Sequence, residues 1–182
     1  MRAFSISKSV HARRKYMELK FTVMTKIQKP IAEVFDAVYN PEKLTGYFTN
    51  GGASAPLDEE TTVQWSFEDT PGKPMPPFPV KVLRSIPEEL IELEWEGSKG
   101  RQTQVKFDFE QTGPSETLVK VTESGWKESQ EELDRSYMNC MGWSQMLFAL
   151  KAYAEHGIDL RKGAYSGLYD PGDFKDTAQA AG

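Results

Sequence analysis

The residues best equipped for chemistry are few. The chain holds one cysteine and two histidines, and one segment, YMNCMGWSQMLFALKAYAEHG (residues 137–157), carries both Cys140 and His156. A thiol paired with an imidazole base is a nucleophilic site in principle. The spacing denies it. The segment has helical periodicity, and sixteen residues along a helix separate the two side chains by about 24 Å. A reactive cysteine also needs a helix N-terminus or a nearby cation to lower its pKa, and Cys140 falls mid-helix. Cys140 therefore reads as a small apolar residue of the helix and His156 as part of a C-terminal cap before Gly157. His11 lies near the N-terminus, so no metal cluster of nitrogen and sulfur ligands can be assembled, and neither a metal nor a cofactor is expected.

Charged residues are the next candidates. Arg84 follows Val80 and Val82 in alternation, and Glu123 follows Val119 and Val121. Both are in phase with apolar positions on strands, which points them inward, where a charge needs a partner. Either they reach solvent at strand ends or they anchor a polar group of a ligand, and Arg84 is the better receptor for an anion. Glu92, Glu94 and Glu96 alternate with Leu93 and Trp95 and belong to a solvent-facing sheet surface, where nothing excludes water for acid–base work. The NGG at residues 50–52 lacks the Gly-Lys-Ser/Thr continuation of a phosphate loop and reads as a flexible loop near Tyr47 and Phe48.

The elements that must position these residues follow from hydrophobic periodicity. LKFTVMTKI alternates as a half-buried strand. Pro30 opens a helix over IAEVFDAVY, and Asn40-Pro41 caps and starts a second short helix. Five further strands are predicted: TTVQWSF, VKVLRSI, LIELEWEG, TQVKFDFEQ and TLVKVTES. Their turn punctuation predicts an antiparallel meander. A long helix then closes the domain, and TNGGASAP and the proline-rich DTPGKPMPPFP are connections.

This order predicts an α+β fold with a curved antiparallel sheet of six or seven strands around one long C-terminal helix. The helix would cover the apolar sheet face and enclose a core or a cavity. Alternation directs Trp65, Phe67, Val82, Trp95, Phe107, Phe109 and Val121 inward, with Arg84 and Glu123 in the same phase. On the helix, Cys140, Trp143, Leu147, Leu150 and Ala154 form the packing stripe. An adjacent stripe of Tyr137, Met141, Ser144 and Phe148 would roof the cavity, Met141 adapting to a guest.

Composition limits the classes of function. The 182 residues are 38% hydrophobic and 12% aromatic, enough for one domain with a core. A net charge of −5 without a long basic block argues against nucleic-acid binding. No segment approaches the ~20 apolar residues of a membrane helix. The N-terminus lacks the apolar stretch of a secretory signal, and a single cysteine suits a reducing compartment, so a cytoplasmic location is expected. Residues 1–17 form a basic leader with Arg2, Lys8, Arg13, Arg14 and Lys15. Residues 18–160 are the domain, and 161–182 are an irregular tail in which Tyr165, Leu168, Tyr169 and Phe174 are free to pack on the domain or on a partner.

The run IQKPIAEVFDAVYNPEKLTGYF, the pair LIELEWEG and TLVKVTESGW, and GWSQMLFALKAYAEHG together resemble the START-like (SRPBCC) helix-grip superfamily. Within it they resemble the branch of the activators of heat-shock protein 90 ATPase. The resemblance spans about residues 18–160. It implies a helix-grip fold with a cavity and no single reaction, and it brings a stress-response setting with it. About 17 residues precede the first strand, too few for the separate N-terminal domain of the eukaryotic co-chaperones. The expected function is therefore non-catalytic binding of a small hydrophobic or aromatic molecule, by a monomer or homodimer. A co-chaperone-type module contacting a chaperone partner is the alternative. An enzyme of cyclase or hydrolase type, using Arg84, Glu123 and Tyr137, is the third reading.

Overall fold

The computed structural model describes residues 18–168. The expectations for the basic leader, His11, Tyr169 and Phe174 lie outside these residues. The described residues open with β1 (Phe21–Ile27), followed by α1 (Ile31–Tyr39) and α2 (Pro41–Thr45). Pro30 stands at the start of α1, where a missing N–H costs nothing. The Asn40 side chain accepts from the Glu42 and Lys43 backbone N–H groups, so the cap read from Asn40-Pro41 is formed.

Six strands come next: β2 (Gly52–Ala53), β3 (Thr62–Ser66), β4 (Phe78–Ile86), β5 (Leu90–Ser98), β6 (Arg101–Gly113) and β7 (Glu116–Ser124). The seven strands make one antiparallel sheet in the order β1-β7-β6-β5-β4-β3-β2. The expected meander is present, and β1 returns to pair with β7. The short β2 lies in the segment read from sequence as a loop. Asn50 fixes that loop, donating to the Glu68 carbonyl and accepting from the Glu68 N–H.

The closing helix α3 (Gln130–His156) is one unbroken rod of 27 residues. Ser129 caps it, accepting from the Glu132 N–H. Gly157 ends it in the left-handed conformation, at φ 67°, which an L side chain adopts only with strain. Trp143, Met146, Leu147, Ala149 and Leu150 are buried, so the expected packing stripe faces the sheet. It shares one buried cluster with Val82, Leu93, Phe107, Val119 and Val121 of the inner sheet face. The domain is an α+β helix-grip.

Among the described residues, the space between sheet and helix is largely filled by side chains. Aromatic rings occupy the space between them. Trp143 packs within 5.5 Å of Phe48, Trp95 and Phe107, centre to centre, and Trp65 sits edge-on to Phe48 at 5.7 Å. Core interiors pack to the density of organic crystals when large rings interdigitate in this way. The inward positions Trp65, Val82, Phe107, Phe109 and Val121 are buried core and line neither groove described below.

Candidate functional site

Glu123 receives hydrogen bonds from several side chains at once. It lies on β7 between Phe21 of β1 and Val105 of β6, facing inward. Its exposure is 0%. Four neutral side chains donate to its carboxylate. Thr103 Oγ1 reaches Oε1 at 2.6 Å and Trp95 Nε1 at 2.9 Å. Trp143 Nε1 reaches Oε2 at 2.8 Å, and Asn139 Nδ2 approaches Oε1 at 3.1 Å and Oε2 at 3.3 Å. Burial pushes the carboxyl above the ordinary glutamate range, and the donors from Thr103, Trp95, Trp143 and Asn139 pull the other way without cancelling it. The expectation that Glu123 points inward holds. Its partners are the indoles and amide that hold the aromatic wall in place.

The backbone leaves room for this cluster at one glycine. A Cβ on Gly97 would lie 2.2 Å from Thr103 Oγ1 and 2.9 Å from Glu123 Oε1. Gly97 sits in the register irregularity between Glu96 and Ser98 on β5, where an extra residue bends the strand.

Arg84 corrects the reading from alternation. The pairing of β4 with β5 slips between Val82 and Arg84, so Val82 faces Leu93 while Arg84 faces Glu92. The irregularity reverses the phase, because an inserted residue moves every later side chain to the other face. Arg84 lies on the solvent face, 3.6 Å from Glu92, with about half of its side chain exposed. Glu92, Glu94 and Glu96 do lie on that outer, partly exposed face, as their alternation implied.

The stripe of Tyr137, Met141, Ser144 and Phe148 is also placed differently from the expectation. Tyr137 is 63% and Phe148 61% exposed, and Met141 is exposed too. Ser144 donates back to the Cys140 carbonyl one turn earlier. The stripe lies on the side of α3 turned away from the sheet, since the neighbouring Trp143-Leu147-Leu150 stripe takes the core. Cys140 is half-buried, and burial followed by the nearby Glu123 charge pushes its thiol up, away from the reactive thiolate.

What the outer side of α3 does frame is a pair of open grooves. One, of about 300 Å3, runs between Tyr47, Phe48, Met141, Ser144, Gln145, Phe148 and the segment after α3, at Leu160, Arg161 and Tyr165. The other, of about 240 Å3, is walled by Phe48, Phe67, Trp95 and Trp143, with Met75, Asn139 and Asp69. Phe48, Met141, Gln145, Arg161 and Tyr165 border both. Of the residues expected to line a site, Phe67, Trp95, Met141, Ser144 and Phe148 therefore meet at these grooves. Glu123 stands behind the Trp95–Asn139–Trp143 wall, and Tyr137 borders neither groove.

Arg161 was not marked by the sequence. It follows α3 and lies across the boundary between the grooves. Its Nη2 donates to Asp69 Oδ1 at 2.6 Å. The guanidinium carbon lies 4.5 Å from the Phe67 ring centre, 4.8 Å from Tyr165 and 5.9 Å from Phe48, within cation–π range of each. Both Arg161 and Asp69 are more than four-fifths buried. Tyr165 Oη donates to Gln145 Oε1 on α3. Residues 157–168 thus form a strap pinned to the groove by Arg161 and Tyr165. Only the aromatic Tyr165, among those named in the tail, could have hinted at it; a contact 92 residues apart in sequence has no local signature. Among the described residues no group of three or more His, Cys, Asp or Glu side chains is placed to hold a metal ion, and no helix is long and apolar enough to cross a membrane.

A curved antiparallel sheet gripping one long helix, with grooves at the helix's outer edge, defines the SRPBCC helix-grip class. Within that class, the family model described as Activator of Hsp90 ATPase homolog 1-like protein matches residues 28–155, and the chain belongs to this family. Solved structures share the fold. DynU16, from the dynemicin biosynthetic locus, is 22% identical with a TM-score of 0.63 over 76% of this chain, which spans 48% of DynU16. The Aha1 dimer from Colwellia psychrerythraea, solved in solution, is also 22% identical, with a TM-score of 0.61, covering 76% of this chain and 98% of its own. Protein MLL2253 from Mesorhizobium loti is 16% identical with a TM-score of 0.63, covering 78% and 100%. No curated protein matches the sequence.

Proposed function

We propose that this protein binds a small hydrophobic or aromatic molecule, without catalysis, in the paired grooves between α3, the Phe48–Phe67–Trp95–Trp143 wall and the strap after α3. The observation that carries this reading is the wall itself: four aromatic rings line an open space of about 240 Å3 with only a few polar groups beside them. Apolar clefts with sparse, fixed polar groups are the usual form of small-molecule sites. The buried Glu123 supports it by holding the Trp95 and Trp143 indoles in fixed orientations. Among the described residues, no nucleophile–base pair stands in the grooves, which favours binding over an enzyme of cyclase or hydrolase type.

Trp95 and Trp143 report on the site directly. Titration with 2-ethylnaphthalene is expected to change tryptophan fluorescence saturably at one site per chain, and Phe67→Ala is expected to weaken that binding several-fold. A linear, unsaturable response would overturn the reading.

A second reading rests on a separate observation. Tyr137, Met138, Met141 and Phe148 expose apolar surface along α3, and exposed apolar surface is also how protein-interaction sites look. Co-chaperone-type contact with a protein partner would use that face. Tyr137→Ser separates the two readings: it should leave naphthalene binding unchanged, because Tyr137 borders neither groove, and weaken any protein contact made by this face.

A further inference from the structure

Arg161 is built into the groove boundary with part of its hydrogen-bonding capacity unmet. Its Nη2 is taken by Asp69, and rings from Phe48, Phe67 and Tyr165 cover the guanidinium. Its Nε is buried, and among the described residues no acceptor reaches it. A buried donor without an acceptor costs free energy that a guest supplying one would recover. Asp69 already offsets the positive charge, so the guest need not be an anion; it needs an oxygen lone pair. Among the described residues, Arg161 is also the only charged one bordering the first groove, whose other walls are apolar or neutral.

On that basis, and resting on the small-molecule reading above, we propose that Arg161 is the polar specificity determinant of the site: its Nε donates to a carbonyl or carboxylate oxygen on a ligand whose aromatic body lies against Phe67 and Trp95. The arginine takes the role that alternation assigned to Arg84, from a different part of the chain. Asp69 and the rings hold Arg161 at the groove boundary, and a shift of the covering rings on binding exposes its Nε to the ligand oxygen. The recognised class is an aromatic molecule bearing an acceptor oxygen, in preference to the plain hydrocarbon of the same shape.

Four probes of nearly equal size test this on the full chain: 2-ethylnaphthalene, 2-acetylnaphthalene, 2-naphthoate and 2-(aminomethyl)naphthalene, each titrated by calorimetry and tryptophan fluorescence. Wild-type protein is expected to bind the acetyl compound or the naphthoate roughly tenfold more tightly than the ethyl compound, the worth of one hydrogen bond to a charged donor. The better of the two oxygen probes tells whether the acceptor is neutral or ionised. Arg161→Met is expected to level the oxygen probes with the hydrocarbon. Arg161→Lys retains a cation for Asp69 but has no Nε donor, and is expected to level them as well while the strap stays pinned. Hydrocarbon and oxygen probes bound equally by wild type would overturn this inference and leave the small-molecule reading standing. Failure of wild type to bind any probe would overturn both. A preference for the ammonium probe that grows in Arg161→Met would also overturn the inference, since it would make Arg161 a displaceable occupant of a cation site.

Discussion

Glu123 shows how much a single buried side chain can organise. Each hydrogen bond it receives comes from a neutral group, and two of those groups are indoles that double as walls of a groove. Glu123→Gln keeps one acceptor oxygen but turns an amide NH2 toward donors. It is expected to cost about 1–3 kcal/mol in urea unfolding at neutral pH and to alter the near-ultraviolet tryptophan signal. The pH dependence has a definite sign. Burial raises the carboxyl above its ordinary value of 4.5, so the folded state holds the proton more tightly than the unfolded chain. The stability this contributes is complete below that ordinary value and is lost as pH rises through the raised one. Glu116 works in reverse: Gln28, Lys26 and Thr112 lower it to about 2, and its contribution is lost on acidification toward that value. The difference between the wild-type and Glu123→Gln stability profiles removes the Glu116 effect, and it should shrink as pH climbs above about 4.5. A difference that grows with pH would contradict the raised carboxyl. Gly97 belongs to the same cluster. Gly97→Ala would press a methyl group into Thr103 and Glu123, and a loss of about 1–3 kcal/mol is expected in thermal unfolding; an unchanged melting temperature would mean that the strand gives way at no cost.

Single elements differ in how plainly their sequences declare them. Period-two alternation named the long strands, and Asn40-Pro41 named the start of α2, because caps and alternation are local physics. Gly157 likewise marked the end of α3. The failure over Arg84 is instructive because nothing local was wrong: Val80, Val82 and Arg84 do alternate. A one-residue register slip against β5 moves Arg84 to the other face, and that slip is a property of two strands together. The stripe of Tyr137, Met141, Ser144 and Phe148 is turned from the sheet for a related reason, and three of its members border the outer grooves instead. Two adjacent apolar stripes on one helix cannot both face one sheet, and the stripe with Trp143 and Leu147 buries more completely. The start of α3 offers its own test. Ser129 caps the helix, and Glu132, three residues on, bonds Ser98 Oγ at 2.9 Å. Ser129→Ala is expected to cost about 1 kcal/mol, read as a lower midpoint in urea with an unchanged slope. No shift in the midpoint would mean that the Glu132 contacts alone hold the first turn.

At the scale of the molecule, the grip of sheet on helix and the groove beside it are distinct structures with different supports. The core beneath is closed by aromatic rings and is complete without the segment after α3. That is why the fold was readable from periodicity while the groove was not: the groove is finished by Arg161 and Asp69, which meet across the chain and leave no repeating pattern. The family match ends at residue 155, within α3, in keeping with a strap that is additional to the common core. A chain ending at Gly157 is accordingly expected to fold cooperatively. It would leave Asp69 without its cation at a site that then opens to water, so the loss should be moderate, on the order of 1–3 kcal/mol, between the worth of an exposed pair and that of a buried one. The larger consequence falls on the surface. Without Arg161 and Tyr165, the faces of Phe48 and Phe67 lose their cover, and binding of an apolar fluorescent dye should rise while affinity for naphthalene probes falls. Circular dichroism, thermal unfolding and dye titration on the shortened chain measure the three quantities separately. If the shortened chain lost its cooperative transition, the strap would be part of the core; if probe affinity were unchanged, the groove walls on the sheet and α3 would suffice without it.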